Sequence, residues 1–253
     1  MTSKKITAAI ITFNEERNIE RCITSLLDCV DEILVVDSFS TDKTEEICQK
    51  YNVRFIQNPF QGHIEQKNVA LELATHDWVL SLDADEALTP ALRESVLNTK
   101  NETDFGGYKL NRLTNYCGKW VHYCGWYPDT KIRLVNKQHA KWQGVNPHDR
   151  LDVLNNAKIG QLKGDLLHYS YYTKEDHFKQ IHYFGNIAAN ELIKKGKTAS
   201  LLKIAVKTSA QFFKSFVLKR GFLDGKTGFL ISIRSAYATY IKYSLVRKLA
   251  AEK

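Results

Sequence analysis

Four apolar runs, ITAAIIT, EILVVD, VRFIQN and DWVLSLD, recur through the first hundred residues with a helical pattern between each pair. A strand that is apolar on nearly every residue has no solvent face. When such strands alternate with helices, the economical solution is a parallel sheet covered on both sides, joined by right-handed crossovers. After the first run, Asn14 has a capping side chain, and Ile19, Cys22, Ile23, Leu26, Leu27 and Val30 fall on one helical face. Asp42 and Glu45 have capping-box spacing before a short second helix. A third helix is expected from about Gly62 to Ala74. Thr89 and Pro90 are an N-cap and first-turn pair opening a fourth, which runs to about Leu97.

Beyond Pro90 the pattern changes. Residues 105–169 read as shorter strands and loops rich in aromatics, with YCGKWVHYCGWYPD at their centre. From Thr173 onward the chain reads as helical, broken at Lys194 to Lys197 and punctuated by Gly221 and Gly225. With 13 Gly, 4 Pro, 43% hydrophobic and 25% charged residues, linkers and low-complexity segments are not expected. The N-terminal apolar run is interrupted by Thr12 and Asn14 and reads as a first strand rather than a signal peptide. No stretch reaches the roughly 18 apolar residues of a spanning helix, so a cytoplasmic protein is expected. Five scattered cysteines are expected to stay as thiols. Cys117, Cys124 and His122 lack the second close pair that a zinc site needs.

In open α/β sheets, ligands bind at the carboxyl ends of the strands. Three strands here end in polar signatures: TFNEE, VVDSFSTD and SLDADE. Asp37 is either an Asx-turn residue or a ligand contact. Asp83 and Asp85 are not needed as caps, because Thr89 and Pro90 already mark the next helix. Two carboxylates in one loop repel unless a cation or hydroxyl donors satisfy them. Carboxylates with few companions suit Mg²⁺ or Mn²⁺, which keep waters and bridge to phosphates. Glu86 stays open between a supporting and a solvated role.

The segments AAIITFNEERNIERCITSLL, EILVVDSFSTDKTEEI, QKNVAL and WVLSLDADE resemble the inverting family 2 glycosyltransferases of the GT-A fold, over at least residues 6–100. WYPDTKIRLV, VNPHDRL, LLHYSY and FLDGKTGF are similar to bacterial lipopolysaccharide core β-1,4-glucosyltransferases. The resemblance implies an α/β, Rossmann-like nucleotide-diphospho-sugar transferase fold with a helical, basic C-terminal extension. Residues 1–172 would form the catalytic domain, 1–100 its nucleotide-binding half and 101–172 its acceptor half, followed by amphipathic helices in 173–253. It implies transfer of a hexose, glucose from UDP-glucose, to a heptose of the lipopolysaccharide inner core. A same-fold enzyme acting on a polyprenyl phosphate and a non-catalytic sugar-nucleotide or membrane-binding module are the alternatives.

Carried over residue by residue, the resemblance assigns Thr12, Phe13, Asn14, Glu15 and Asp37 to the uracil and ribose, with Lys67 and Asn68 beside the nucleotide. Asp83 and Ala84 face the ribose or metal, and Asp85 binds the metal that bridges the diphosphate. Two departures stand out: Phe39 where relatives commonly have Gly in a left-handed turn, and Lys67 where Arg is frequent.

Inverting transfer needs a base for the acceptor hydroxyl and neutralisation of the leaving diphosphate. Asp149 is the candidate base, at a position where relatives usually show His-Glu, with His148 orienting it or bonding the acceptor. His168 is a candidate third metal ligand. Arg133 is a candidate phosphate or acceptor contact, and Trp126 and Tyr127 are suited to stack on a sugar.

The net charge is +8. From Leu201 to Lys253 there are 11 Lys or Arg against Asp224 and Glu252, a balance of +9, which leaves about −1 for residues 1–200. Greasy and basic helices of this kind predict attachment to an anionic membrane surface, here the inner face of the inner membrane. No nucleic-acid module pattern is present.

Overall fold

The computed structural model describes residues 3–102, 104–145, 148–154 and 157–251. The chain forms two compact units. The first comprises Met1–Arg112 and Asp129–Tyr169, the second Leu113–Pro128 and Ser170–Lys253.

In the first unit the four expected strands form as β1 (Ile6–Thr12), β2 (Glu32–Asp37), β3 (Arg54–Gln57) and β4 (Trp78–Asp83). β1 pairs in parallel with both β2 and β4, and β2 with β3. Between them lie α1 (Ile19–Thr24), α2 (Thr44–Cys48) and α3 (His63–Leu73). β5 (Glu86–Leu88) and α4 (Pro90–Thr99) follow, then β6 (Gly107–Tyr116), β7 (Lys119–Trp120), β8 (Asp129–Asn136), β9 (Ala140–Val145), β10 (His148–Val153) and β11 (Ile159–Tyr171). The strand order is β3-β2-β1-β4-β8-β6-β11-β5, with β9 and β10 as a separate antiparallel pair. β8 joins β4 antiparallel, which turns the parallel half into a mixed sheet.

Side chains alternate across a strand, so each buried strand supplies two cores. Ala8, Ile10, Val35, Leu80 and Leu82 pack with Ile19, Cys22, Ile23 and Leu92 on one face. Ala9, Leu34, Val36 and Val79 pack with Ala70 and Leu71, and with Trp142 and Leu151, on the other.

Local signals were obeyed unevenly. Thr89 caps α4 by accepting from the Leu92 N–H at 3.3 Å, with Pro90 in the first turn, as expected. Asn14 is not a helix cap. Its backbone is left-handed (φ 53°) and its side-chain oxygen accepts from the Thr41 N–H at 2.8 Å, while α1 begins only at Ile19. Asp42 forms no capping box with Glu45; instead its carboxylate accepts from the Thr44 and Glu16 N–H groups.

The second unit holds α5 (Lys174–Lys194), α6 (Leu201–Phe213) and α7 (Gly225–Ala251). Thr173 and Asp176 close a capping box on α5. A π turn over Lys214–Leu218 and a 3-10 turn over Gly221–Asp224 lead into α7. Leu113–Pro128 belong here as well: Tyr116, Val121 and Cys124 share a core with Ile231, and Asp224 accepts from the Tyr123 N–H at 2.9 Å. All five cysteines are free thiols. Among the described residues no helix is long and apolar enough to cross a membrane.

Candidate active site

The parallel pairing aligns the strand ends. Thr12 is opposite Asp37, and Ile11 opposite Asp83, so the loops after β1, β2 and β4 emerge side by side at one edge of the first unit.

The first two loops are knitted together. The Asn14 N–H donates to Ser40 Oγ at 2.8 Å, the Glu15 N–H to Thr44 Oγ1 at 2.8 Å, and the Lys43 N–H to Glu16 Oε2 at 3.1 Å. Asp37 is fully buried and accepts from both the backbone N–H and the hydroxyl of Ser40. It therefore holds the turn, which is the Asx-turn alternative. That turn keeps a left-handed residue at Phe39 (φ 61°) even without glycine, and the phenyl ring stays exposed, as does that of Phe13.

A phenylalanine in this region costs roughly 1–2 kcal/mol, partly offset by the chain freedom that glycine would lose on folding. Phe39→Gly is therefore expected to raise stability by roughly 0.5–1 kcal/mol in urea unfolding. If the ring contacts the nucleotide, the same change raises KM for the donor. A loss of stability would mean that Phe39 is held by contacts stronger than its strain.

The third loop carries the acids, and their surroundings separate them. Asp83 lies 3.1 Å from Lys67 Nζ and 3.3 Å from Arg133 Nη2. Burial works against its charge, but Lys67 and Arg133 outweigh it and hold the carboxyl well below the usual range. Glu86, unlike the part-exposed Asp83, is fully buried, so it takes the supporting role rather than the solvated one. It pairs with Arg133 at 3.0 Å and Arg112 at 3.5 Å, and accepts the Asp83 N–H at 2.9 Å.

Asp85 meets a different partner. Antiparallel pairing of β5 with β11 puts His168 opposite Glu86, the Tyr169 N–H donates to the Asp85 carbonyl at 2.9 Å, and His168 Nε2 comes to 3.2 Å from Asp85 Oδ2. Ala84, between the two aspartates, is buried in the core. Nearby, burial pushes the Glu15 carboxyl up to about 7; an Asn18 hydrogen bond opposes the shift and the charges of Asp85, Asp42 and Asp83 add to it.

Lys67, from α3, bridges to the predicted base: its Nζ lies 2.7 Å from Asp149 Oδ2 on β10. Arg150 pairs instead with Asp152 at 2.9 Å. The Asn68 amide exchanges two 3.0 Å hydrogen bonds with the Trp142 backbone and fixes β9 against α3. The Trp142 ring in turn lies 4.5 Å from Lys67 Nζ.

Lys67, Asp83, Arg112, Lys131, Arg133, Trp142 and Asp149 line a cleft of about 630 Å³. Arg133 is buried and engaged by two acids, so it organises the cleft floor rather than standing free for an acceptor. Its Nε and Nη1, and Trp142 Nε1, are buried and have no hydrogen-bond partner among the described residues. The side chain of His148, with Asn146 and Pro147, lies outside the described residues. Trp126 and Tyr127 are in the second unit, where Trp126 packs on Tyr116, Tyr171 and His177, and Tyr127 meets His122 edge-on.

Gln66, Arg112 and Trp142 were missed in the sequence reading. The buried Gln66 amide ties Asn58 to Ser38, and no periodicity announces any of the three.

Among the described residues no cluster of three or more His, Cys, Asp or Glu could hold a metal. A closed protein cage is therefore not a fit. The Asp85–His168 pair, in an acid-rich setting, fits a hard cation that completes its coordination with waters and phosphate oxygens.

The profile of glycosyl transferase family 2 matches residues 7–148. The chain belongs to that family. An uncharacterized glycosyltransferase of Rickettsia typhi is 33% identical over 98% of this chain and 88% of its own length. The lipopolysaccharide core biosynthesis glycosyltransferase LpsC of Rhizobium meliloti is 26% identical over 95% of this chain and 93% of its own. Glucosyl-3-phosphoglycerate synthase of Mycobacterium tuberculosis, solved with Mn²⁺ and UDP, is 25% identical over 44% of each chain at a TM-score of 0.37. As a family 2 glycosyltransferase, the enzyme has the α/β fold expected from its strand pattern, of the GT-A type that the motif resemblance implied, with a helical C-terminal region.

Proposed function

We propose that this glycosyltransferase moves glucose from UDP-glucose to a heptose of the lipopolysaccharide inner core in a single inverting displacement, working at an anionic membrane surface. The observation that carries the reading is the cleft in which one ammonium, Lys67, spans Asp83 at a strand end and Asp149 on β10. The likeness to LpsC over nearly the whole chain supports the acceptor class. The donor rests on the motif resemblance to β-1,4-glucosyltransferases.

In this reading the interlocked loops at Thr12–Glu15 and Asp37–Thr44 form the uridine end, with Asp37 shaping the loop from behind. Asp85 and His168 hold Mg²⁺ or Mn²⁺, which when bound neutralises charge on the leaving diphosphate. Asp83 is the anchor for Lys67 and Arg133, because two cations already satisfy it. Asp149 accepts the proton of the attacking hydroxyl. Lys67 fixes the position of that carboxylate relative to the donor strands.

The test is a screen of UDP-sugars for UDP release with Mg²⁺ or Mn²⁺, with and without deacylated core oligosaccharide. UDP-glucose with core and metal is expected to turn over fastest, and Asp85→Ala to lose the metal response while keeping the wild-type unfolding midpoint. Faster turnover with another UDP-sugar would replace the donor, and turnover indifferent to metal would remove the Asp85–His168 assignment.

A further inference from the structure

The second unit carries an apolar face that its own core leaves uncovered. In α6 and the turn after it the buried positions are Ile204 and Ser215, whereas Leu202 (75% exposed), Val206 (56%) and Phe213 (54%) point to solvent. Their spacing of four and seven residues places them on one helical stripe. Val217, Leu218 and Phe222 extend the exposed apolar surface beyond the helix end.

This is the reverse of an ordinary surface helix, which buries its apolar stripe and exposes its polar one. From Leu202 to Phe213 the stripe is about 17 Å long at the usual helical rise. Phe216 packs edge-on against Phe229 and Phe222, with centroids at 5.7 and 6.2 Å, and both of those rings are themselves exposed, so they widen the apolar surface.

Charge identifies what covers it. Lys203, Lys207 and Lys214 repeat the spacing of Leu202, Val206 and Phe213 one residue later, and so form a parallel row along the stripe. Lys219 and Arg220 continue the positive charge past the helix, and no Asp or Glu occurs from Leu201 to Leu223. A second copy of the chain docked on this face would oppose like-charged rows. A sheet of anionic headgroups over acyl chains complements both rows at once.

We propose that the exposed stripe of α6 lies in the interface of an anionic lipid bilayer, with Leu202, Val206 and Phe213 in the upper acyl region and the lysine row reaching the lipid phosphates. This rests on the reading that the enzyme works at a membrane, and adds the surface that attaches it. Long lysine side chains can hold their ammonium groups at the phosphate level while their methylenes follow the apolar stripe.

The experiment is co-sedimentation of the full chain with phosphatidylcholine vesicles with and without phosphatidylglycerol at low salt. Its variants are Leu202→Gln/Val206→Gln/Phe213→Gln and Lys207→Gln/Lys214→Gln/Lys219→Gln. Their side chains are exposed, so unfolding midpoints should stay at wild type, as should UDP release with a soluble acceptor.

The wild type is expected to bind only the anionic vesicles. Loss of three lysines should weaken binding about a hundredfold to a thousandfold, and the apolar triple at least as much. Val206→Trp should show a blue-shifted emission with anionic vesicles and quenching by brominated lipid. Wild-type failure to bind would remove the membrane reading itself. Wild-type binding matched by both triples, or an unquenched tryptophan, would leave that reading standing and overturn the assignment to α6. A dimer that only the apolar triple breaks, with vesicle binding unchanged, would assign the stripe to self-association.

Discussion

Asp149→Asn is expected to lower kcat by about 10² to 10⁴, with little change in KM for UDP-glucose. The amide is nearly isosteric with the carboxylate and its oxygen can still accept from Lys67 Nζ, now 2.7 Å from the acid. The loop should therefore stay in place while the capacity to take a proton is lost. Asp149→Glu restores the base at a longer reach, and partial recovery there would mark a loss of chemistry rather than of structure. The measurement is steady-state UDP release with deacylated core as acceptor. Near-normal turnover of Asp149→Asn on the core would remove Asp149 as the base. Repeating the assay with a polyprenyl phosphate separates two acceptor classes, because that acceptor is already anionic and needs no strong base: turnover there and not with core, undiminished in Asp149→Asn, would replace the heptose by a phosphate.

What the sequence made legible was local. Runs such as ITAAIIT and EILVVD have no polar face, and each became a strand feeding two cores, with Ala8 and Ile10 on one side and Ala9 on the other. Thr89 and Pro90 marked their helix because capping depends on only the next three residues. The acids at the strand ends were visible for the same reason: position along a parallel strand fixes the edge at which a side chain emerges.

What stayed hidden was which groups meet across long separations. Glu86 was left open because its partners, Arg112 and Arg133, lie 26 and 47 residues downstream. Asn14 has the chemistry of a cap but holds a loop 27 residues away, since an asparagine side chain can serve either use and the left-handed backbone here excludes the extended geometry of a cap. Asn68 sits one residue from Lys67, yet α3 aims its amide at β9 and the ammonium at the acids. Cys117 and Trp126 looked like part of an acceptor half, but Leu113–Pro128 form a core with Ile231 of α7, more than a hundred residues later. Periodicity carries no information about such pairings.

Arg133→Met should destabilise the enzyme by about 3–5 kcal/mol, a large share of the roughly 5–15 kcal/mol that holds most domains. Arg133 is only 3% exposed, and its Nη2 pairs with Asp83 and Glu86 at 3.3 and 3.0 Å. Burial works against its charge, but Glu86, Asp83 and Asp149 outweigh it and raise the affinity of the guanidinium for its proton. Methionine fills similar volume but leaves Glu86 with Arg112 and Asp83 with Lys67, so two acids lose a counter-charge, and Glu86 has no water to replace it. The sign of the pH effect follows. Asp83, held well below the usual carboxylate range by Lys67 and Arg133, keeps only Lys67 in the variant, so its folded pKa rises toward the unfolded value; the deficit should be constant between about pH 5 and 7 and shrink as the pH falls through the usual carboxylate range at about 4. Arg133→Lys should recover only part of the loss, because one ammonium cannot reproduce a planar fork between two carboxylates. Urea unfolding of the three proteins at pH 3.5 and pH 7 measures this directly. A deficit under about 1 kcal/mol at both pH values would show that Arg112 and Lys67 suffice to neutralise the acids, leaving Arg133 free to serve the ligand.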